Sequence, residues 1–241
     1  AGDDGFSKGL DTYFTRHDGT AATIEDFIKA MEDGASLDLA QFQYWYSQAG
    51  TPQLLVTQAH DPEKGVLTLD FTQTTLPTPG QTRKLPLHIP VKFGLVGPKG
   101  NDLAYDSASG ARIEGDVIHL SQAHHQICFK GIYERPVPSL LRHFSAPVRL
   151  DFSLSEDDLI HLIAHDSDQF NRWEAMQTIA MRVLLDKVNC LVTGCKPSDS
   201  FNCFFEGVEK TILDERHDAA FRPNRSAPML IPTLFIPPVC G

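Results

Sequence analysis

The apolar residues of this chain change their spacing at the short stretch Gly50, Thr51 and Pro52. Before this stretch they recur every three or four residues, as on one face of a helix. After it they alternate singly with polar residues, as in a strand with one buried face. Proline ends a helix because its ring clashes with the preceding turn and its nitrogen carries no hydrogen. The chain is therefore predicted to contain a helical part and a β part that meet here.

The first part, residues 1–49, is predicted to be helical. Thr23 is suited to cap the start of a helix, because Asp26 follows three residues later as in a capping box. Gly34 is expected to end that helix, since glycine readily adopts the left-handed conformation found there. A further helix is expected to begin at Ser36 and to continue through Leu39, Phe42 and Tyr46 until Gly50.

The second part, residues 50–152, is predicted to be a β-sandwich. Apolar and polar residues alternate at 67–72, at 89–95 and at 148–154. Pro- and Gly-containing turn signals separate these segments, and no helical pattern intervenes. Several short strands of this kind predict an antiparallel sandwich of about 100 residues.

The remainder of the chain is predicted to return to helix and then to lose regular structure. Helical spacing reappears over residues 153–221, with Ser155 as the expected cap of the first helix. A second helix is expected to begin after Ser167 or Asp168. Residues 222–241 are rich in proline and show no period, so we expect an irregular tail.

Charge and apolar content exclude two classes of partner. A net charge of −10 and an isoelectric point near 5.4 argue against nucleic-acid binding, which needs clustered Lys and Arg. No apolar run reaches the roughly 18 residues that a membrane-spanning helix needs. The five cysteines are an odd number for a fully paired disulfide framework, which favours free thiols and a cytoplasmic location. We therefore predict no nucleic-acid or membrane partner.

Two histidines on a predicted helix are the first candidate metal ligands. His161 and His165 stand four residues apart, so both can face the same side of the helix. In a zinc protease the residue after the first histidine is a glutamate that acts as general base, whereas here it is Leu162. Asp166 and Asp168 are too close in sequence to complete a tetrahedral site. We expect an ordinary helix face rather than a metal centre.

A second mixture of metal-binding residue types falls on a predicted strand. His124 and His125 are neighbours, so a strand directs them to opposite faces and they make poor joint ligands with Cys128. Spacings unlike those of structural zinc sites separate three further cysteines: Cys190, Cys195 and Cys203. The chain also contains no G-x-S-x-G elbow and no phosphate-binding loop. We predict no catalytic residue and no metal ligand, and substrate-binding residues are unknown.

Five segments occur in an order that is specific to one family. They are YFTRHDGTAAT (13–23), WYSQAGTP (45–52), PLHIP (86–90), RPVPSLLR (135–142) and HD with FNRWEA (165–175). Together they resemble the bacterial alanyl aminopeptidase (aminopeptidase N) branch of the zinc-dependent gluzincin aminopeptidases. The resemblance covers about residues 5–187, the middle portion of such an enzyme.

The resemblance implies a division of the chain into parts of three domains. Residues 1–49 would end a thermolysin-like catalytic domain, residues 50–152 would form an immunoglobulin-like sandwich, and residues 153–221 would begin an all-helical domain. The parent enzyme would remove N-terminal amino acids from peptides with one zinc ion. Its zinc-binding and catalytic motifs would lie upstream, so we expect no zinc on this chain and no activity from it alone.

Two hypotheses about function therefore remain. The first is a structural portion of a zinc metalloaminopeptidase, a hydrolase, in which the sandwich spaces the catalytic domain from the helical domain. The absent catalytic and helical domains would be its packing partners, and peptides would be the substrates of the parent enzyme. The alternative is a free-standing, non-catalytic β-sandwich binding module. Self-association through helix faces that have lost their partners would favour the first hypothesis.

Overall fold

The computed structural model describes residues 2–194, which belong to two compact units. The first unit extends to Ser153 and the second begins at Leu154. Among the described helices, none is long and apolar enough to cross a membrane.

Two helices open the first unit. Helix α1 spans Gly2–His17 and helix α2 spans Ile24–Ala35. The capping box predicted at the start of α2 is confirmed. The hydroxyl of Thr23 accepts from the backbone nitrogen of Asp26 at 3.2 Å, and the Asp26 carboxylate accepts from the backbone nitrogen of Thr23 at 2.9 Å.

The prediction that Gly34 ends α2 is wrong, because this glycine allows two helices to pack closely. Gly34 lies inside α2, and a Cβ placed on it would come within 2.5 Å of the backbone oxygen of Lys8 in α1. It would also come within 2.6 Å of the Cα of Gly9. The left-handed residue that ends the helix is instead Ser36, with a φ of 53°.

The helix predicted from Ser36 to Gly50 is also wrong in extent. Only the last part is helical, as α3, Tyr44–Ser47. The preceding residues form turns, in which the Asp38 carboxylate accepts from the backbone nitrogen of Ala40 at 2.9 Å. Short polar side chains compete in this way with helical hydrogen bonds, so apolar spacing alone overestimated the helix.

Two sheets complete the first unit. Within the described residues they contain nine strands: β1 Gln53–Asp61, β2 Val66–Thr74, β3 Ile89–Val96, β4 Ser107–Ser109, β5 Arg112–Glu114, β6 Val117–Leu120, β7 His124–Lys130, β8 Val137–Leu140 and β9 Arg149–Phe152. One sheet has the order β4-β7-β2-β1-β9 and the other the order β5-β6-β3-β8.

The apolar faces of both sheets contribute to one buried cluster. In β2, Leu67, Leu69 and Phe71 are at most 1% exposed, as their alternation predicted. In β3, Ile89 and Val91 are fully buried in the same cluster. The prediction of strands with one buried face is confirmed for both segments.

The prediction of a wholly antiparallel sandwich is wrong for one pair of strands. β9 runs parallel to β1, with Gln53 opposite Arg149 and Val56 opposite Phe152. The other strand pairs in the two sheets are antiparallel. A parallel neighbour needs a long connection, and here the intervening strands supply it.

The described part of the second unit consists of helices α4, Glu156–His165, and α5, Gln169–Thr193. Ser155 caps α4 as predicted, and Asp168 caps α5 by accepting from the backbone nitrogen of Asn171 at 2.9 Å. Both predicted starts are therefore confirmed. The irregular tail predicted for residues 222–241 lies outside the described residues.

Candidate functional site

The best-defined feature of the first unit is the contact between the segment around α3 and the sandwich. We call residues 38–49 the junction segment and residues 85–88 the docking strip. The docking strip leads directly into β3, Ile89–Val96, but is not itself part of a sheet. Its backbone groups therefore need partners other than a neighbouring strand.

Side chains of the junction segment supply several of these partners. The Gln48 amide donates to the Leu85 backbone oxygen at 3.0 Å and accepts from the Leu85 backbone nitrogen at 2.7 Å. The indole nitrogen of Trp45 donates to the backbone oxygen of His88 at 3.0 Å. Side chains of the junction segment thus bond backbone groups of the docking strip, in the place where a neighbouring strand would bond them in a sheet.

Two further glutamines extend the same arrangement. Gln41 donates to the backbone oxygens of Pro86 at 3.0 Å and Ser121 at 2.7 Å. From β2, the Gln73 amide donates to the Leu87 backbone oxygen and accepts from the Leu87 backbone nitrogen, both at 2.9 Å. Each residue of the docking strip therefore has at least one backbone group bonded to a side chain.

A second set of contacts holds the end of the junction segment. The Gln81 amide accepts from the backbone nitrogen of Ala49 at 2.8 Å and donates to the backbone oxygen of Ser47 at 2.9 Å. The ammonium group of Lys84 donates to the Ala49 backbone oxygen at 2.8 Å and to the Gln81 side-chain oxygen at 2.6 Å. Contacts at both ends of α3 thus fix the segment on the sandwich.

The aromatic residues of the junction segment pack rather than form an open ligand platform. Tyr44 and Trp45 are partly buried against the core cluster of the sandwich. Phe42 and Tyr46 contact each other edge to face, with ring centroids 5.9 Å apart. Tyr46 remains 52% exposed.

A cleft of about 420 Å³ lies between the junction segment and the sandwich. Three histidines that no sequence pattern groups together line it: His88, His119 and His125. The other lining residues come from the junction segment and from the sandwich: Asp38, Gln41, Phe42, Gly110, Ala111, Arg112, Ser121 and Gln122.

Two of these histidines are joined by a hydrogen bond. His88 Nε2 and His119 Nδ1 are 2.9 Å apart, and the rings stack with centroids 5.1 Å apart. His119 Nε2 faces the Glu114 carboxylate at 3.4 Å and therefore carries a hydrogen. The neutral His119 then accepts at Nδ1 the hydrogen that His88 donates from Nε2.

The surroundings of this pair favour neutral rings. Burial lowers the pKa of His88, and the charges of His119 and Arg112 lower it further. Burial also lowers the pKa of His119, although the charge and hydrogen bond of Glu114 oppose this. Arg112 pairs with Glu114 and lowers the pKa of that carboxyl.

The third histidine is bound on both ring nitrogens by backbone groups. His125 Nε2 accepts from the backbone nitrogens of Ser121 at 3.0 Å and Gln122 at 3.1 Å. Its Nδ1 donates to the backbone oxygen of Gly110 at 3.0 Å. This pattern requires the neutral ring with its hydrogen on Nδ1.

The two helix histidines considered as candidate metal ligands lie side by side. On α4, the rings of His161 and His165 have centroids 4.7 Å apart. Within residues 2–194, no group of three or more His, Cys, Asp or Glu side chains is arranged to hold a metal ion. The described residues therefore do not match the donor set of a zinc protease.

The candidates on β7 lie as the alternation of a strand predicts. His124 is exposed and His125 is buried, so the two rings are on opposite faces. Cys128 is a free, partly buried thiol, whereas Cys190 is disulfide-bonded. The expectation of free thiols is therefore wrong for Cys190, and Cys195 and Cys203 lie outside the described residues.

Two family models match the chain and define its class. A domain of unknown function with an immunoglobulin-like fold, DUF3458, matches residues 50–153. A second, DUF3458_C, described as ARM repeats, matches residues 156–229. The chain thus carries an immunoglobulin-like domain followed by a helical domain.

Bacterial aminopeptidases share this stretch of sequence. Aminopeptidase N of Escherichia coli (strain K12) is 41% identical over 178 residues, which is 74% of this chain and 20% of the relative. The Haemophilus influenzae protein of the same name gives the same values. That of Caulobacter vibrioides is 38% identical over 217 residues, 90% of this chain and 24% of the relative. The chain is homologous to these aminopeptidase N proteins over most of its length, which is consistent with a middle portion of such an enzyme.

A solved structure has the same fold. The crystal structure of Legionella pneumophila aminopeptidase A in complex with aspartic acid superposes with a TM-score of 0.70 at 28% identity. The match covers 90% of this chain and 23% of that chain. The chain thus spans about a fifth to a quarter of the length of the relatives it matches.

Proposed function

We propose that this chain is the structural, non-catalytic portion of a zinc-dependent aminopeptidase that removes N-terminal amino acids from peptides. In this role the immunoglobulin-like domain spaces a catalytic domain from a helical domain. Relatives named aminopeptidase N at 38–41% identity support the parent activity. The share of those relatives that the chain spans supports the restriction to one portion.

The spacer role is supported by the hydrogen bonds that hold the junction segment on the sandwich. Gln41, Trp45 and Gln48 bond the backbone of the docking strip, while Gln81 and Lys84 bond the end of the segment. Each such bond contributes about 1 kcal/mol net. Several bonds at both ends of α3 would fix the direction in which the chain enters the sandwich, as a spacer between two domains requires.

Helix α1 supports the proposal that residues 1–49 end a catalytic domain. Phe6 and Phe14 are 52% and 57% exposed on α1, although both are large apolar side chains. Exposed aromatic residues of this kind are typical of surfaces that pack against another domain. On the same proposal, residues 153–221 begin the helical domain that completes the enzyme.

The purified chain provides the first test. We expect no stoichiometric zinc and no release of alanine from an alanyl chromogenic substrate in the presence of added zinc. Escherichia coli aminopeptidase N, assayed in parallel, serves as the positive control. Measurable turnover together with one bound zinc per chain would contradict a non-catalytic role.

The alternative is a free-standing β-sandwich binding module, and the histidine-lined cleft is the observation that favours it. Sizing chromatography separates the two hypotheses. A portion of a larger enzyme should self-associate through Phe6 and Phe14, and the double change Phe6→Ser and Phe14→Ser should abolish this. A monomer at all concentrations would favour the module.

A cytoplasmic location is part of the proposal, with peptides as substrates of the whole enzyme. A free thiol supports a cytoplasmic location, and Cys128 is such a thiol. The disulfide of Cys190 does not support it, because disulfides are rare in reducing compartments. Counting reactive thiols in the protein as isolated from its host cells, with alkylation before lysis, tests this location. A cytoplasmic location predicts that Cys190 is recovered reduced and alkylated, and recovery of its disulfide intact would contradict that location.

A further inference from the structure

Three histidines lie beneath the contacts that hold the junction segment. The backbone oxygen of His88 accepts from Trp45, while its ring bonds His119. The ring of His125 holds the turn at Ser121, whose oxygen accepts from Gln41. His88 and His119, which can gain a proton near neutral pH, thus position one of the acceptors on which the junction segment depends.

The His88–His119 contact tolerates only one additional proton. A first proton can enter at the free Nδ1 of His88 without breaking the hydrogen bond. A second would occupy His119 Nδ1, so that two N–H groups would face each other across 2.9 Å. Two stacked imidazolium rings would also repel each other, so His88 would have to move and carry the docking strip with it.

The charged groups around the histidines have opposite effects on the histidine pKa values. Arg112 on β5 disfavours a charged imidazole at His88 and at His119, whereas Glu114 on the same strand favours one at His119. Asp38, at the start of the junction segment, also lines the cleft. Glu114 is already paired with Arg112, which reduces the negative charge available to His119. No other cation or carboxylate lines the described part of the cleft.

We propose that His88 and His119 make the docking of the junction segment pH-dependent, so that acidification releases residues 38–49 while both sheets stay folded. The sheets stay because their shared core consists of apolar side chains that do not titrate. The device is built into the sandwich and does not depend on whether the parent enzyme is an aminopeptidase.

Proton linkage determines whether docking strengthens or weakens as the pH falls. In the docked state burial lowers the pKa of His88 and of His119 below the ordinary value of about 6.5. The released state therefore binds more protons at mildly acidic pH. Docking is fully favoured above the ordinary histidine pKa and is lost as the pH falls through it towards the lowered values.

The indole N–H of Trp45 reports on this equilibrium directly. In the full chain carrying Trp173→Phe, Trp45 is the remaining tryptophan, and its hydrogen exchange is followed by NMR from about pH 7.5 to about pH 5. We expect the protection factor, relative to free indole at each pH, to drop at least about tenfold. Strand signals in circular dichroism should stay unchanged. A constant protection factor, or loss of strand signal at the same pH, overturns the proposal.

Two variants assign the effect to the cluster. His88→Gln combined with His119→Gln removes titration but keeps polar side chains, and it should flatten the pH profile. His124→Gln removes an exposed histidine from β7 beside the cluster and should leave the profile unchanged. If the double variant fails to fold, imidazole titrations in the unaltered cluster decide. Midpoints of His88 and His119 more than about one pH unit from that of the indole overturn the proposal.

Discussion

Replacing Gln48 with Glu tests the docking of the junction segment with almost no change in side-chain shape. The Gln48 amide both donates to and accepts from the backbone of Leu85, at 3.0 and 2.7 Å. An ionised carboxylate keeps the acceptor, loses the donor and places negative charge against the Leu85 carbonyl oxygen. Gln43→Glu is the matched control because Gln43 is exposed in the same segment.

The expected loss follows from these two contacts. A lost hydrogen bond costs about 1 kcal/mol net, and a carbonyl left without its donor raises the cost to at most about 3 kcal/mol. Gln48 is only partly buried, so water can reach the site and the loss should be about 1–2 kcal/mol. For a unit of this size that lowers Tm by about 2–8 °C.

The loss should depend on pH in a defined direction. The nearby carbonyl oxygen disfavours a charged carboxylate, so the pKa of the introduced group is raised in the docked state. Its penalty is small at low pH, where the protonated carboxyl can donate to Leu85, and it grows as the pH rises. Urea unfolding of Gln48→Glu and Gln43→Glu at about pH 5 and about pH 8 gives this difference. Subtracting the control removes the contribution of the histidines, which both variants share.

The reasoning is refuted if the two variants unfold at the same urea concentration at the higher pH. It is also refuted if the penalty of Gln48→Glu is larger at the lower pH. The first result would mean that the amide of Gln48 contributes nothing to holding the segment on the docking strip. The second would mean that the pKa of the introduced carboxyl is not raised there.

Three further changes test other contacts. Gly34→Ala places a Cβ within 2.5 Å of the Lys8 backbone oxygen, so the α1–α2 pair should lose about 1–3 kcal/mol in thermal unfolding. An unchanged Tm would contradict this packing. Asp102→Asn removes the charge that bonds the buried Arg142 guanidinium at 2.9 Å and should cost about 2 kcal/mol in urea unfolding. Equal stability would mean that Arg142 does not need this carboxylate. Replacing both α4 histidines with Ala should leave the zinc content of the purified protein unchanged, and loss of bound zinc would reveal a site there.

Local patterns in the sequence predicted those elements whose burial follows a fixed period. Leu67, Leu69 and Phe71 alternate with polar residues because β2 buries one face, and this alternation is visible without knowing the neighbouring strands. The capping box at Thr23 and Asp26 was equally local, since both partners are three residues apart. Such features need no information about the rest of the fold.

Features that depend on distant partners could not be predicted in this way. Gly34 was interpreted as a helix end, because nothing local indicates that Gly9 would lie against it. His88 and His119 meet only through the pairing of β3 with β6, which places Pro90 opposite His119. The parallel pairing of β9 with β1 likewise requires the complete topology.

The segment that includes Trp45 stood out in the sequence only through its family resemblance. The structure shows that Trp45 packs against the core cluster of the sandwich. The roles of Gln41 and Gln48 were missed, because a glutamine that bonds backbone has the same sequence signature as one on a surface. Their signal lay in the motifs WYSQAGTP and PLHIP, which the structure joins through Trp45 and His88.

Exchange of the homologous segment between relatives tests whether this portion is structural and non-catalytic. Residues 5–187 would replace the homologous segment of Escherichia coli aminopeptidase N, which is 41% identical over 178 residues. We expect the chimera to bind zinc and to release alanine with kcat/KM within about tenfold of the unaltered enzyme, because a spacer contributes orientation and no reacting group. A chimera that folds and binds zinc but releases no alanine would contradict a purely structural role for this portion.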